Sequence, residues 1–153
     1  MEVLIRELGR ADAAAVGALY QQSAAHLRSL GDDTDFQFDA HAYLRDGFGP
    51  RPAFSGIGAF LDGQLAGYLI YAFGYETDRA IRQLYVLDLI VDERVRRQGI
   101  GRRLMHYAAT LCRDAGGGEL FWGVFERNEL AIAFYRRLGA TEVGGSRFMH
   151  LPV

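Results

Sequence analysis

The sequence predicts one α/β domain of the α+β type, with a central, mixed, mostly antiparallel sheet flanked by helices. Three observations carry that expectation. Alternating apolar runs of strand length are interleaved with longer runs of helical period. Two of the strand-like runs are joined by Asp62-Gly63, a strong hairpin signal. No linker or internal repeat interrupts residues 1–153, a length that suits a single domain with a real core. Half of the residues are hydrophobic, 24% are charged and only three are Pro, as expected of a folded globular chain.

Taken in order, Val3–Leu8 alternates apolar and polar residues and reads as a strand. Ala11–Leu30 carries Val16, Leu19, Tyr20 and Leu27 at helical spacing, with Asp12 positioned to cap its start. An acidic loop, Gly31–Asp39, leads to a short helix over Ala40–Arg45, and Gly47–Pro52 is turn chemistry. Phe54–Leu61 and Gln64–Glu76 form the hairpin. Gln83–Val91 is a third strand in series, almost wholly apolar, as for a strand covered on both faces. Ile100–Arg113 is a helix with a stripe of Leu104, Tyr107, Ala108 and Leu111. After Gly116–Gly118 comes a strand over Glu119–Phe125, then a helix over Asn128–Leu138 stopped by Gly139. Glu142–Gly145 and Arg147–Leu151 read as two short closing strands. The expected order is therefore β-α-α-β-β-β-α-β-α-β-β.

Charge and composition narrow the function. A net charge of −2 gives no electrostatic case for nucleic acid or an acidic membrane surface. All 17 basic residues are Arg, none Lys. The single cysteine, Cys112, precludes an intrachain disulfide and fits a packed thiol in a reducing cytoplasm. No stretch is long and apolar enough to span a bilayer, and Met1–Arg10 lacks a signal-peptide pattern, so a cytoplasmic protein is expected. His26, His41, His106 and His150 show no ligand spacing with one another or with Cys112, so no metal is expected.

The chemistry concentrates in Val86–Gly101, VLDLIVDERVRRQGIG, where an apolar strand enters a charged turn and then a helix. Gly99 and Gly101 permit close backbone approach, and the amides of the turn and first helical turn have no intrahelical acceptors. With the helix dipole they make an anion site suited to a pyrophosphate. Arg96, Arg97 and Arg102 can add charge there. A Walker loop is excluded, because it needs Lys. A dinucleotide fingerprint fails as well, because Leu104 holds its third glycine position.

Arg96-x-x-Gly99-x-Gly101 after an apolar strand resembles the acetyl-CoA loop of the GNAT superfamily of N-acetyltransferases. Downstream, Asn128-Glu129-Leu130-Ala131-Ile132-Ala133-Phe134-Tyr135-Arg136-Arg137-Leu138-Gly139-Ala140 is similar to the family's N-x-x-A-x-x-F-Y-x-x-L-G-A segment at every fixed position. Within the superfamily it looks most like the diamine and polyamine N-acetyltransferase branch. That branch often reads L-E-D where Val86-Leu87-Asp88 stands here, and Arg127 replaces a common Trp, so a simple copy of a polyamine enzyme is not expected.

The resemblance implies acetyl-CoA as cosubstrate and direct transfer to an amine, without a covalent enzyme intermediate. It implies that the backbones of Leu89, Ile90 and Val91 pair with the pantetheine arm, beside a bulge that splays two parallel strands. The turn Arg96, Arg97, Gln98, Gly99, Ile100, Gly101 and Arg102 would hold the pyrophosphate. Asn128 and Ala131 would touch the far side of the arm, and Tyr135 would protonate the departing thiolate.

The acceptor side is read from charge. A free alkylammonium titrates near pH 10.4, so a base is needed, and Asp88, Glu126 and Glu76 are candidates. Asp88 either faces the site or is a paired structural carboxylate. Asp32, Asp33 and Asp35, in the loop that commonly walls the family's acceptor pocket, would with Asp88 favour a small cationic amine. The competing readings are a protein N-terminal or lysine acetyltransferase and a catalytically idle acyl-CoA-binding module. Relatives are often dimers, so a homodimer is also an expectation.

Overall fold

The computed structural model describes residues 2–153; Met1 lies outside the described residues. A five-stranded sheet runs in the spatial order β1-β2-β3-β4-β5. Its strands are β1 (Val3–Glu7), β2 (Ser55–Leu61), β3 (Gln64–Glu76), β4 (Ile81–Val91) and β5 (Gly117–Phe121). The first three pairings are antiparallel and β4–β5 is parallel, so the sheet is mixed and mostly antiparallel. Four helices flank it: α1 (Ala13–Ser29), α2 (Ala40–Gly47), α3 (Ile100–Asp114) and α4 (Glu129–Arg137).

Local chemistry accounts for the junctions. Asp62 and Gly63 both have positive φ, 49° and 78°, the two-residue turn whose twist matches its flanking strands. Asp39 caps α2 by accepting the Ala42 N–H at 2.8 Å. Asp12 precedes α1 but does not cap it. Its carboxylate turns back to accept the Gly9 N–H at 2.7 Å and pairs with Arg6 at 2.9 Å, because a 3-10 turn over Arg10–Asp12 lies between β1 and the helix.

Two apolar layers hold the helices to opposite faces. Val16 and Leu19 of α1 and Tyr43 of α2 pack with Phe60, Tyr68, Ile70 and Ile90. On the other face Ile100, Leu104 and Ala108 of α3 pack with Ile57, Leu69, Leu84 and Val86, and Phe134 of α4 and Leu138 just after it add to the margin. Each fully buried Leu or Ile here contributes about 1.5–3 kcal/mol. Cys112 is buried and its thiol donates to the Glu119 carbonyl at 3.4 Å.

The expected order holds from β1 through α4. The two closing strands do not form within the single chain: after α4 the chain has no assigned strand, and Val143, Phe148, Met149 and Leu151 are exposed. A strand exists through hydrogen bonds to a neighbour, and alternation alone supplies none. For the same reason β5 ends at Phe121 rather than Phe125, since its last pairing with β4 is Tyr85↔Phe121.

Candidate active site

The site is created by a change of partner along β4. Its first half, through Tyr85, is paired with β3 on one side and β5 on the other. At Leu87 the β3 ladder slips: Tyr71 opposes Val86 and Ile70 opposes Asp88, leaving Leu87 as an extra residue. Such a bulge bends a strand and increases its twist. Beyond it β4 and β5 part, and the backbone of Val86–Val91 has no strand partner on the β5 side.

A cavity of about 130 Å³ occupies the opening. Its floor is Val86–Ile90. One wall comes from Ser23 and Leu27 of α1, the other from Trp122–Phe125 together with Asn128, Ala131 and Tyr135. Arg127, between the cavity-lining Phe125 and Asn128, donates to the Gly31 carbonyl at 3.1 Å and so ties the β5–α4 turn to the loop after α1.

At one end of β4 lies the glycine turn. Arg97 and Gly99 take positive φ, 64° and 80°, and Gly99 begins α3 without a side-chain cap. The amides of Ile100, Gly101 and Arg102 therefore face outward with no intrahelical acceptor. Arg96, Arg97, Gln98 and Arg102 are exposed around them. A Cβ on Gly101 would come within 3.1 Å of the Phe134 ring, so its absence lets α3 approach α4 closely. The root of the turn is fixed by buried Asp92, whose carboxyl the Arg94 guanidinium holds down at about 2, and by the Glu93 N–H donating to Gln22 of α1 at 2.9 Å.

Two ionisable groups meet in the cavity. Asp88 makes no side-chain hydrogen bond or ion pair among the described residues, and burial raises its carboxyl to about 6. Tyr135 lies 4.9 Å, ring to ring, from Trp122, and burial with the Asp88 charge pushes its phenol up to about 12. Near neutral pH the first is mostly ionised and the second protonated. Of the alternatives left open for Asp88, the paired carboxylate is not found among the described residues; Asp88 lines the cavity.

The other anticipated residues are arranged differently. Leu89 and Ile90 line the cavity, and Val91 continues the unpaired edge toward the turn. Glu76 is remote: it accepts the Asp78 and Arg79 amides and pairs with the Arg79 side chain, which also joins Glu119, and these bonds hold its carboxyl below the usual range. Glu126 is exposed in the turn before α4 and does not line the cavity. Asp32 accepts Thr34 and Asp35 accepts Gln37, while Asp33 is exposed; none of the three touches the cavity. Ser23, and Tyr20 and Tyr68 near Asp88, belong to this region without having been singled out in the sequence. Their only signal is a face shared with Leu27 or Ile90.

The family model described as acetyltransferase (GNAT) family matches residues 18–140. The chain belongs to the GNAT family. It is similar to the thialysine N-epsilon-acetyltransferase of Bos taurus, 28% identical over 156 residues, covering 97% of this chain and 89% of that protein. It is also similar to the streptothricin acetyltransferase of Streptomyces lavendulae, 38% identical over 86 residues, covering 56% of this chain and 42% of that one. Its fold matches an integron cassette protein from the mobile metagenome of V. cholerae, with a TM-score of 0.80, 23% identity, and coverage of 100% and 94% of the two chains.

As a GNAT enzyme the chain is an N-acetyltransferase that uses acetyl-CoA as cosubstrate. The residues present fit that cosubstrate. Outward amides at the start of α3 suit a pyrophosphate, and an unpaired strand edge suits an arm that carries amides of its own.

Proposed function

We propose that this protein transfers the acetyl group of acetyl-CoA to a primary amine of a small cationic metabolite, by direct attack within a ternary complex. The observation that carries the reading is the meeting of Asp88 and Tyr135 in one cavity at the parting of β4 and β5. The backbones of Leu89, Ile90 and Val91 pair with the pantetheine arm, and the turn Arg96–Arg102 holds the pyrophosphate. Asn128 and Ala131 form the far wall. Asp88 accepts the proton of the substrate ammonium, directly or through one water, and frees the nitrogen lone pair. That pair forms the new C–N bond as the thioester C–S bond breaks, Tyr135 donates its phenolic proton to the leaving sulfur, and the surplus proton of the acetylated nitrogen passes to solvent, from which the phenol is restored. A phenol held near 12 is protonated at working pH and so remains a donor.

A small acceptor is supported by the modest size of the cavity, about 130 Å³, between α1 and the segment joining β5 to α4. Asp32, Asp33 and Asp35 act through their field, drawing a cation toward the opening rather than contacting it. The whole of residues 1–153 is one such domain and works in the cytoplasm. The exposed apolar segment Phe148, Met149 and Leu151 supports a homodimer that covers it.

The test is acetyl-CoA binding by calorimetry followed by a thiol-release screen of polyamines, basic amino acids, aminoglycosides and peptides. Micromolar binding with release on a small cationic amine supports the proposal. Release on peptides alone transfers it to protein acetylation, and binding with no release on any acceptor points to an idle acyl-CoA module. Absence of binding refutes it.

A further inference from the structure

Tyr68 is the polar side chain that the architecture leaves unexplained. It sits in the middle of β3, fully buried, and its hydroxyl has no hydrogen-bond partner among the described residues. A buried hydroxyl left unpaired is costly, and phenylalanine would fill the same space without that cost. Tyr43, the other fully buried tyrosine, illustrates the ordinary arrangement: its hydroxyl donates to the Gly9 carbonyl at 2.8 Å.

The sheet register says what lies near the Tyr68 hydroxyl. Tyr68 opposes Ile90 and Ile70 opposes Asp88, with no slip between these pairs. Tyr68 and Ile90 both pack against α1 and α2, and Asp88 is two residues from Ile90, so Asp88 is on that same face. Tyr68 and Asp88 are thus diagonal neighbours across one ladder, the relation in which a long side chain can reach its counterpart. The Tyr68 hydroxyl makes no direct hydrogen bond to the Asp88 carboxylate, so a link between them runs through a water.

We infer that Tyr68 is a positioning residue for Asp88, its hydroxyl donating through one bridging water to the carboxylate and keeping it ionised in its apolar surroundings. The inference rests on Asp88 being the base of the proposed reaction. The ionisable groups that feel the Asp88 charge are phenols, Tyr20 from α1, with Arg28 and Asp32 beyond it, Tyr68 from β3 and Tyr135 from α4; the uncharged Ser23 and Asn128 also line the cavity. No charged side chain of α3 or β5 lines the cavity among the described residues. Burial and the Asp88 charge push the Tyr68 phenol well above its ordinary range. It therefore cannot be the base and stays a donor at every working pH. A donor to the charged form opposes the burial that raises the Asp88 carboxyl.

The experiment replaces Tyr68→Phe and measures kcat/KM against pH, acetyl-CoA affinity, thermal midpoint and the carboxyl-carbon NMR titration of Asp88. The expected result is a folded enzyme with unchanged acetyl-CoA affinity. Its acid limb and its Asp88 titration should both move up by about one pH unit, roughly a tenfold loss of kcat/KM on that limb. Tyr43→Phe is the control: it loses a satisfied hydrogen bond, so its thermal midpoint falls while its pH profile stays put. A Tyr68→Phe profile and Asp88 titration superimposable on wild type would overturn the inference and make the hydroxyl a tolerated structural orphan. Failure of the underlying reading looks different: Asp88→Asn would then keep the wild-type acid limb, whatever Tyr68→Phe does.

Discussion

The two halves of β4 are one continuous strand with opposite duties. Arg82–Tyr85 is paired on both edges and braced by the Arg79 pairs to Glu76 and Glu119. Val86–Val91 is bonded to β3 alone, and its free edge faces a cavity. The paired half converts backbone polarity into stability. In the open half the same groups have no strand partner on that side, and an acid that would be expensive in any core is set there. Substitutions in the first half should therefore cost folding and spare chemistry; those in the second should do the reverse.

The largest effect expected is on the paired side. Leu84→Ala removes a fully buried side chain and should cost about 3 kcal/mol of stability, read by denaturant unfolding, while the folded fraction keeps its kcat. Losing kcat in proportion to nothing but Leu84 would show that the halves are not separable.

Next comes Asp88→Asn, which should lower kcat by about a hundredfold and abolish the acid limb of the rate profile, whose midpoint in the parent lies near 6. Its effect on stability has the opposite sign. The folded carboxyl titrates near 6 against an ordinary 3.8, so the folded state binds the proton more tightly. The stability this gives is complete below about pH 3.8 and is lost as pH rises through 6. At pH 7.5 the ionised Asp88 is a burden, and its removal should raise stability by about 1–3 kcal/mol. A less stable, inactive Asp88→Asn would mean that the carboxylate braces the fold.

Tyr135→Phe should reduce kcat by at least about tenfold and leave acetyl-CoA affinity within about twofold, measured by calorimetry. The smallest effect is predicted for Glu76→Gln. It should leave kcat and the pH profile unchanged, since Glu76 belongs to the braced half; a shifted acid limb would restore it as a base.

Much of this division was legible in the residues. Asp62-Gly63 needed both its positions at positive φ, and the Gly99 turn announced its backbone geometry directly, whereas Asn128–Ala140 was legible only through its resemblance to the family segment. The acceptor side was less legible. Glu76 ends a strand as a base might, yet Arg79 three residues later captures it, and only folding brings Glu119 to the same guanidinium. Asp32, Asp33 and Asp35 look like a binding wall in a linear reading, but Asp32 and Asp35 are engaged by Thr34 and Gln37. Tyr68 was hidden because a buried strand residue and a buried donor have the same alternation. The closing strands failed for a related reason: pattern reports what a segment could pair with, and pairing needs an edge that the single chain does not bring to it.

The slip at Leu87 bears on insertions and deletions. Val86 packs toward α3, Asp88 lies on the α1 face, and Leu89 and Val91 pack toward α3 again. Excising Leu87 would leave strict alternation, so every core side chain would keep its face and the strand would gain a regular ladder. By the ordinary measures of sheet design the shorter protein is the better one. It would also let β4 follow β5 without parting, and the enzyme would be sealed by the loss of a single codon.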